Sequence, residues 1–123
     1  MEKPHKKLNA WKESLDLVVT IHRISGAFPR DEQYGLTSQM RRATLSVPCN
    51  IAEGAARQTI KEFINYLHMA QGSLSELDTQ LEVAKCLGYL NEDSWRTVDH
   101  QIERIDKQVT GLIRHLRNGS GKK

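Results

Sequence analysis

The 123-residue sequence predicts an all-α fold, an antiparallel up-down-up-down four-helix bundle, on three observations. Apolar residues recur at alternating intervals of three and four in two long segments: Phe63, Leu67, Ala70, Leu74, Leu77, Leu81 and Ala84, then Trp95, Val98, Ile102, Ile105, Val109, Leu112 and Leu116. That spacing gathers them on one face of a helix. Start and stop residues bracket these segments closely and leave only short connections, and no stretch alternates apolar and polar residues as a half-buried strand does.

Taken in order, Asn9 is placed to cap a first helix that runs to about Ser25, with Trp11, Leu15, Val18 and His22 on one stripe and Leu17, Ile21 and Ile24 broadening it. Gly26 and Pro29 stop it, and FPRDEQYG is a loop. The second helix starts near Thr37 and contains Pro48, whose missing N–H leaves the Thr44 carbonyl unpaired. A kink or local unwinding at residues 44–48 is expected, with Ser46 or Asn50 taking up the freed group. Thr59 and Glu62 form a capping box for the third helix, which Gly88 ends in a left-handed cap with Tyr89 and Leu90 packing back. Asn91 caps the fourth.

The length suits one domain with its own core: a basic N-terminal arm at 1–8, the bundle at 9–117 and a disordered Gly/Ser/Lys tail at 118–123. Cys49 and Cys86 sit in helical patterns and form no disulfide framework, so a reduced cytoplasmic setting is the expectation. The charged start has no apolar core behind it, and no run approaches the roughly 20 apolar residues of a membrane span. No export and no membrane partner are expected.

Net charge is +3, but unevenly spread: residues 1–12 carry four Lys and one Glu (+3), 104–123 carry six basic residues and Asp106 (+5), and 13–103 therefore sum to −5. Up-down-up-down order brings Lys3, Lys6, Lys7 and Lys12 to the same end as Lys107, Arg114, Arg117, Lys122 and Lys123, with Arg57 and Lys61 from the 55–61 connection. Asp31, Glu32, Glu92 and Asp93 mark the other end. A basic end of this kind suits a phosphate backbone or an acidic protein surface.

The segment YGLTSQMRRATLSVPCNIAEG carries a second signal. At roughly 100° per residue, Leu36, Met40, Ala43, Val47, Ile51 and Gly54 form one stripe, while Leu45, Cys49, Ala52 and Ala56 lie nearly opposite. Arg42, Ser46, Asn50 and Glu53 flank that second stripe. A helix apolar on two sides expects neighbours on both, so these residues, with Glu76 of the third helix, are the predicted oligomer interface. Arg42 is expected to bridge subunits to Glu53 or Glu76, and Arg41 to face solvent. Gly72 is expected to permit close helix approach.

The succession of an RRA segment, Ser46-Val47-Pro48, NIAEG, GSLSELDTQL and LGYL strongly resembles the bacterial four-helix-bundle family of 23S rRNA intervening-sequence proteins, over about residues 8–117. Val47 and Cys49 depart conservatively from that family's SIPSNIAEG pattern. The resemblance implies a homopentamer around an axis. It also implies kinship with the accessory variability determinant proteins of diversity-generating retroelements, basic pentamers that bind a reverse transcriptase and nucleic acid. The net charge here is lower than a strongly basic accessory protein would carry.

Chemistry is not indicated. Histidines 5, 22, 68, 100 and 115 are scattered, none three or four residues from another histidine or a cysteine, and Glu62 and Glu103 lack the Glu-x-x-His pairing of a bundle di-metal site. Gly72-Ser73-Leu74-Ser75-Glu76 lacks the second glycine of a nucleophile elbow, and no phosphate-binding glycine loop occurs. Neither enzyme activity, cofactor nor metal is expected. Two readings stand: a homo-oligomeric scaffold whose basic residues contact RNA, DNA or a nucleic-acid enzyme, and a structural bundle that binds only protein.

Overall fold

The computed structural model describes residues 3–119 as an all-α bundle of four helices: α1 (Asn9–Ser25), α2 (Leu36–Ala55), α3 (Ile60–Cys86) and α4 (Glu92–Asn118). Short 3-10 turns precede α1 at Pro4–Lys7 and α2 at Arg30–Glu32. The expected arm thus contains one helical turn, whose His5 meets Trp11 edge-on at 4.8 Å. Of the expected tail, Asn118 ends α4 and Gly119 caps it, while 120–123, with Lys122 and Lys123, lie outside the described residues.

The two predicted seams supply most of the core, with Phe63, Trp95 and Leu112 half-buried against it and Ile113, outside the predicted spacing, buried as well. Leu67, Ala70, Leu74, Leu77, Leu81 and Ala84 are buried in α3, as are Val98, Ile102, Ile105, Val109 and Leu116 in α4, joined by Met40, Ala43, Val47 and Ile51 of α2. Contacts fix how the helices meet. Glu82 pairs with Trp95, Gln71 with Asp106 and Thr110, and His68 with Arg117, so partners climb α4 as they descend α3.

Helix ends follow local chemistry. The Glu62 N–H donates to Thr59 Oγ1 (3.1 Å), and the Thr59 hydroxyl donates to the Glu62 carboxylate (2.9 Å). Gly88 adopts φ +76°, with its N–H bonded to the Lys85 carbonyl and that of Tyr89 to Ala84, the paired closure that a left-handed residue permits. The Ser94 N–H donates to Asn91 Oδ1 at 2.8 Å. The start of α1 differs from expectation: Leu8 occupies the N-cap position without a side-chain bond, and Asn9 is the first helical residue.

The stripe on α1 also differs. Leu15 and His22 are exposed and Trp11 and Val18 half-buried, whereas Ala10, Ser14, Leu17, Ile21 and Ser25 face the core. Ser14 and Ser25 can be buried because each hydroxyl donates to a carbonyl of its own helix, Trp11 at 2.7 Å and Ile21 at 2.6 Å. Arg41 is not the free surface cation expected of it. It donates to Ser25 Oγ (2.9 Å) and the His22 carbonyl (3.1 Å), where a cation also meets the negative end of α1.

Helix α2 runs unbroken through Pro48. The Ser46 hydroxyl donates to the Ala43 carbonyl and the Asn50 amide to the Ser46 carbonyl. The two side chains expected to serve the Thr44 carbonyl therefore serve its neighbours. The glycine at close approach is Gly54, where an added Cβ would lie 2.7 Å from Tyr66 Cβ. Gly72 has open space where its Cβ would stand, so that expectation is corrected.

Candidate functional site

The predicted outer stripe of α2 does point away from the core: Leu45, Cys49, Arg42 and Glu53 are exposed, and Ser46, Asn50 and Ala52 half-buried. Several of its polar groups are satisfied within the chain. Ser46 and Ser73 share a hydrogen bond, Arg57 pairs with Glu53 at 3.2 Å, and Glu76 accepts from the Gln80 amide. Glu53 and Glu76 thus have neighbours other than Arg42.

On α3 a feature appears that sequence reading passed over. Beside the inner seam runs a second one, Tyr66, Met69, Ser73, Glu76, Gln80, Val83 and Leu87, spaced 3, 4, 3, 4, 3, 4. Met69 (54% exposed), Val83 (43%) and Leu87 (52%) lie on it, next to α2 with its Leu45 (52%). The remaining exposed large apolar residues are Tyr34, Leu15 and Val19, so among the described residues α4 contributes none. Gln80 is buried, and its Oε1 has no hydrogen-bond donor within the described chain. The signal was present in the spacing, but the polar residues at three of seven positions obscured it.

The cations divide by partner. Arg57 pairs with Glu53 and lies over the Tyr66 ring, 4.9 Å from its centroid. Lys85 and Arg96 are held by Glu92, Arg96 also by Asp93, and Arg104 by Glu13 at 2.5 Å. Among the described residues Lys61, Arg114 and Arg117 pair with no carboxylate, and they border two adjoining surface hollows that share His68 and Arg117. Lys61 lines one and Arg114 the other. Lys3, Lys6, Lys7 and Lys12 are exposed on the turn and helix start that pack beside α2, and Lys107 is exposed further up α4. The hollows bring Lys61, Arg114 and Arg117 together, whereas Lys3, Lys6, Lys7, Lys12 and Lys107 line neither of them.

The expected acidic end is largely engaged. Glu32 accepts from the Tyr89 hydroxyl (2.8 Å) and from the Leu36 N–H, bonds that hold its carboxyl below the usual range, and the first of them raises Tyr89. Further along, Asp78, Asp99, Glu103 and Asp106 line a groove between α3 and α4. Burial pushes the Asp78 carboxyl up, and Asp99, Glu82 and Glu103 add to it. The α3–α4 surface therefore carries acidic and basic stretches that net charge concealed. Among the described residues no three His, Cys, Asp or Glu side chains converge as metal ligands, and no helix is long and apolar enough to cross a membrane.

These features define a class: a four-helix bundle with an inner core seam, a second outward seam on the α2–α3 side, and unpaired cations beside α4. The chain belongs to the 23S rRNA-intervening sequence protein family, which residues 6–111 match. Its fold is similar to the crystal structure of a protein of unknown function from the S23 ribosomal protein family of Bacteroides thetaiotaomicron, with a TM-score of 0.79, 22% identity, and coverage of 85% of this chain and 97% of that one. A comparison with curated proteins returns no match.

Proposed function

We propose that this protein is a non-enzymatic, cytoplasmic homo-oligomeric scaffold, a pentamer, whose exposed cations bind the phosphate backbone of RNA or DNA. A nucleic-acid enzyme such as a retroelement reverse transcriptase is the protein partner that the family resemblance brings forward. The observation carrying the reading is the second seam of α3. Its exposed Met69, Val83 and Leu87, with Leu45 on α2, form a surface whose burial is favourable at about 25 cal/mol per Å².

The assembly is tested by light scattering on the wild type, Leu45→Glu and Val83→Glu, with circular dichroism confirming retained helix. Both variants should be monomeric, and a monomeric wild type or two unchanged oligomers would refute the interface. Nucleic-acid binding is tested by fluorescence anisotropy with structured RNA and duplex DNA across a salt series. Affinity should fall steeply with salt, by about 0.9 in log–log slope per phosphate contact for duplex DNA. Charge reversal at Lys6, Lys7, Arg114 and Arg117 should abolish binding while the oligomer persists. Salt-insensitive or undetectable binding at low salt would leave the protein-only scaffold as the surviving reading.

A further inference from the structure

We infer that the twin hollow around His68, bounded by Lys61, Arg114 and Arg117, is a phosphate-binding subsite; the inference rests on the nucleic-acid reading above and names the place where a phosphate group sits. The two hollows, of about 320 and 370 Å³, adjoin through His68 and Arg117. Each of the three cations reaches this place from a different backbone position, two on the last turns of α4 and one on the first turn of α3. None is matched by a carboxylate among the described residues, in contrast to Arg57, Lys85, Arg96 and Arg104. An anion entering here does not have to displace an internal ion pair.

A chain of polar contacts orients the site. Gln71 donates its amide to Thr110 Oγ1 (2.9 Å) and Asp106 Oδ1 (3.2 Å), which fixes its Oε1 toward His68 Nδ1 at 3.3 Å. With the ring proton on Nδ1 donating to that oxygen, Nε2 is the acceptor that faces Arg117 Nη2 at 3.5 Å. One N–H of the guanidinium is thereby directed at the ring, and its other donors stay available. A guanidinium fork with free donors, a second arginine and a lysine match the oxygens of a phosphate. The three formal charges favour a terminal phosphomonoester, at about −1.5 to −2, over a singly charged internal phosphodiester.

The test uses the full-length protein in a phosphate-free buffer. Inorganic phosphate is titrated while the His68 ring proton signals are followed by NMR, and anisotropy compares one RNA oligonucleotide with a 5′-phosphate and with a 5′-hydroxyl. Saturable movement of the His68 signals is expected. Arg117→Gln should weaken phosphate by about tenfold, the loss of one charge-assisted contact, and Arg114→Gln/Arg117→Gln should remove saturation. Arg23→Gln, which deletes the same charge from the exposed last turn of α1 and lines neither hollow, is the control and should change phosphate affinity less than twofold. Preference for the 5′-phosphate identifies a chain end as the source, and equal affinities that both fall in the double variant identify internal phosphates. If Arg117→Gln and Arg23→Gln behave alike, or if phosphate never saturates the His68 shift, the subsite is refuted. Wild-type RNA binding that survives such a result leaves the broader reading intact, whereas saturable phosphate binding without RNA binding overturns only the broader reading.

Discussion

Replacing Gly54 by alanine tests whether α2 and α3 are locked by backbone proximity. The new methyl would lie 2.7 Å from Tyr66 Cβ, 3.0 Å from Phe63 Cδ1 and 3.2 Å from the Phe63 carbonyl oxygen. Carbon atoms pack without strain at about 3.5–4.0 Å, so relief needs a displacement of roughly 1 Å at Tyr66. Two of the three atoms are a Cβ and a carbonyl, which move only with α3 itself. Overpacking of this kind costs about 1–3 kcal/mol, and the upper part of that range applies where no flexible side chain can yield. Against it stands a helix-propensity gain of at most about 1 kcal/mol, reduced because Gly54 is next to the last residue of α2. The net expectation is a destabilisation of about 2 kcal/mol, or roughly 6–10 °C in Tm for a chain of this length. Urea unfolding and calorimetry at one protein concentration measure it. Gly111→Ala is the control, since a Cβ there meets nothing within 4 Å in the interior of α4, and it should stabilise by up to about 1 kcal/mol. A Gly54→Ala protein as stable as wild type would refute the close-approach argument.

Gly88→Ala, at φ +76°, should cost about 1–2 kcal/mol in the same urea assay through left-handed backbone strain, although its Cβ would clash with nothing. Arg41→Met should lose about 1–2 kcal/mol by freeing the Ser25 hydroxyl and the His22 carbonyl at the α1–α2 junction; stability equal to wild type would show that the contact contributes nothing. Two carboxylates should give opposite pH profiles. The lowered Glu32 stabilises the fold above its usual pKa of 4.5, and that contribution disappears as pH falls through its lower folded value. The deficit of Glu32→Gln should therefore shrink on acidification. The raised Asp78 disfavours the fold once ionised, so Asp78→Asn should gain stability at neutral pH and lose that advantage below about 3.8. Urea midpoints from pH 3 to 7 distinguish the two, and parallel profiles would overturn both assignments.

What was legible in the sequence tracks the size and regularity of side chains. The inner seams of α3 and α4 consist of large aliphatic residues at unbroken three-four spacing, and their caps are local signals, so both could be read without tertiary information. Helix α1 misled because part of its core face is Ser14, Thr20 and Ser25, buried with their hydroxyls turned onto their own helix. Apolar spacing alone then favours the exposed Leu15. Choosing between Gly54 and Gly72 as the close-approach glycine depends on the register of α2 against α3, which no local pattern contains. The same holds for Arg41, whose partners lie 16 and 19 residues away. In the candidate site, the terminal cations could be counted from the sequence but not sorted by partner. Sequence counts charges, but it does not reveal which are neutralised by Glu13, Glu53 or Glu92 and which remain for a ligand.

The position of these features around α3 bears on how assembly and anion binding coexist. Met69 and Gln71 are separated by roughly 200° on a helix, so the second seam and the polar contacts that orient Arg117 occupy nearly opposite sides. An assembly that buries Met69, Val83 and Leu87 leaves the α3–α4 surface outward, and α4 has no exposed large apolar residue among the described ones to draw it into that contact. Each copy would then present its His68 hollow to solvent at a fixed spacing from the next. Weak single-phosphate affinity, multiplied over copies on one scaffold, becomes useful avidity only when the ligand spans several hollows. This makes a specific demand on length: an RNA too short to bridge two copies should bind the wild type and the Leu45→Glu monomer equally, whereas a longer one should favour the oligomer. Equal affinities at every length would show that the hollows act independently and would separate binding from assembly.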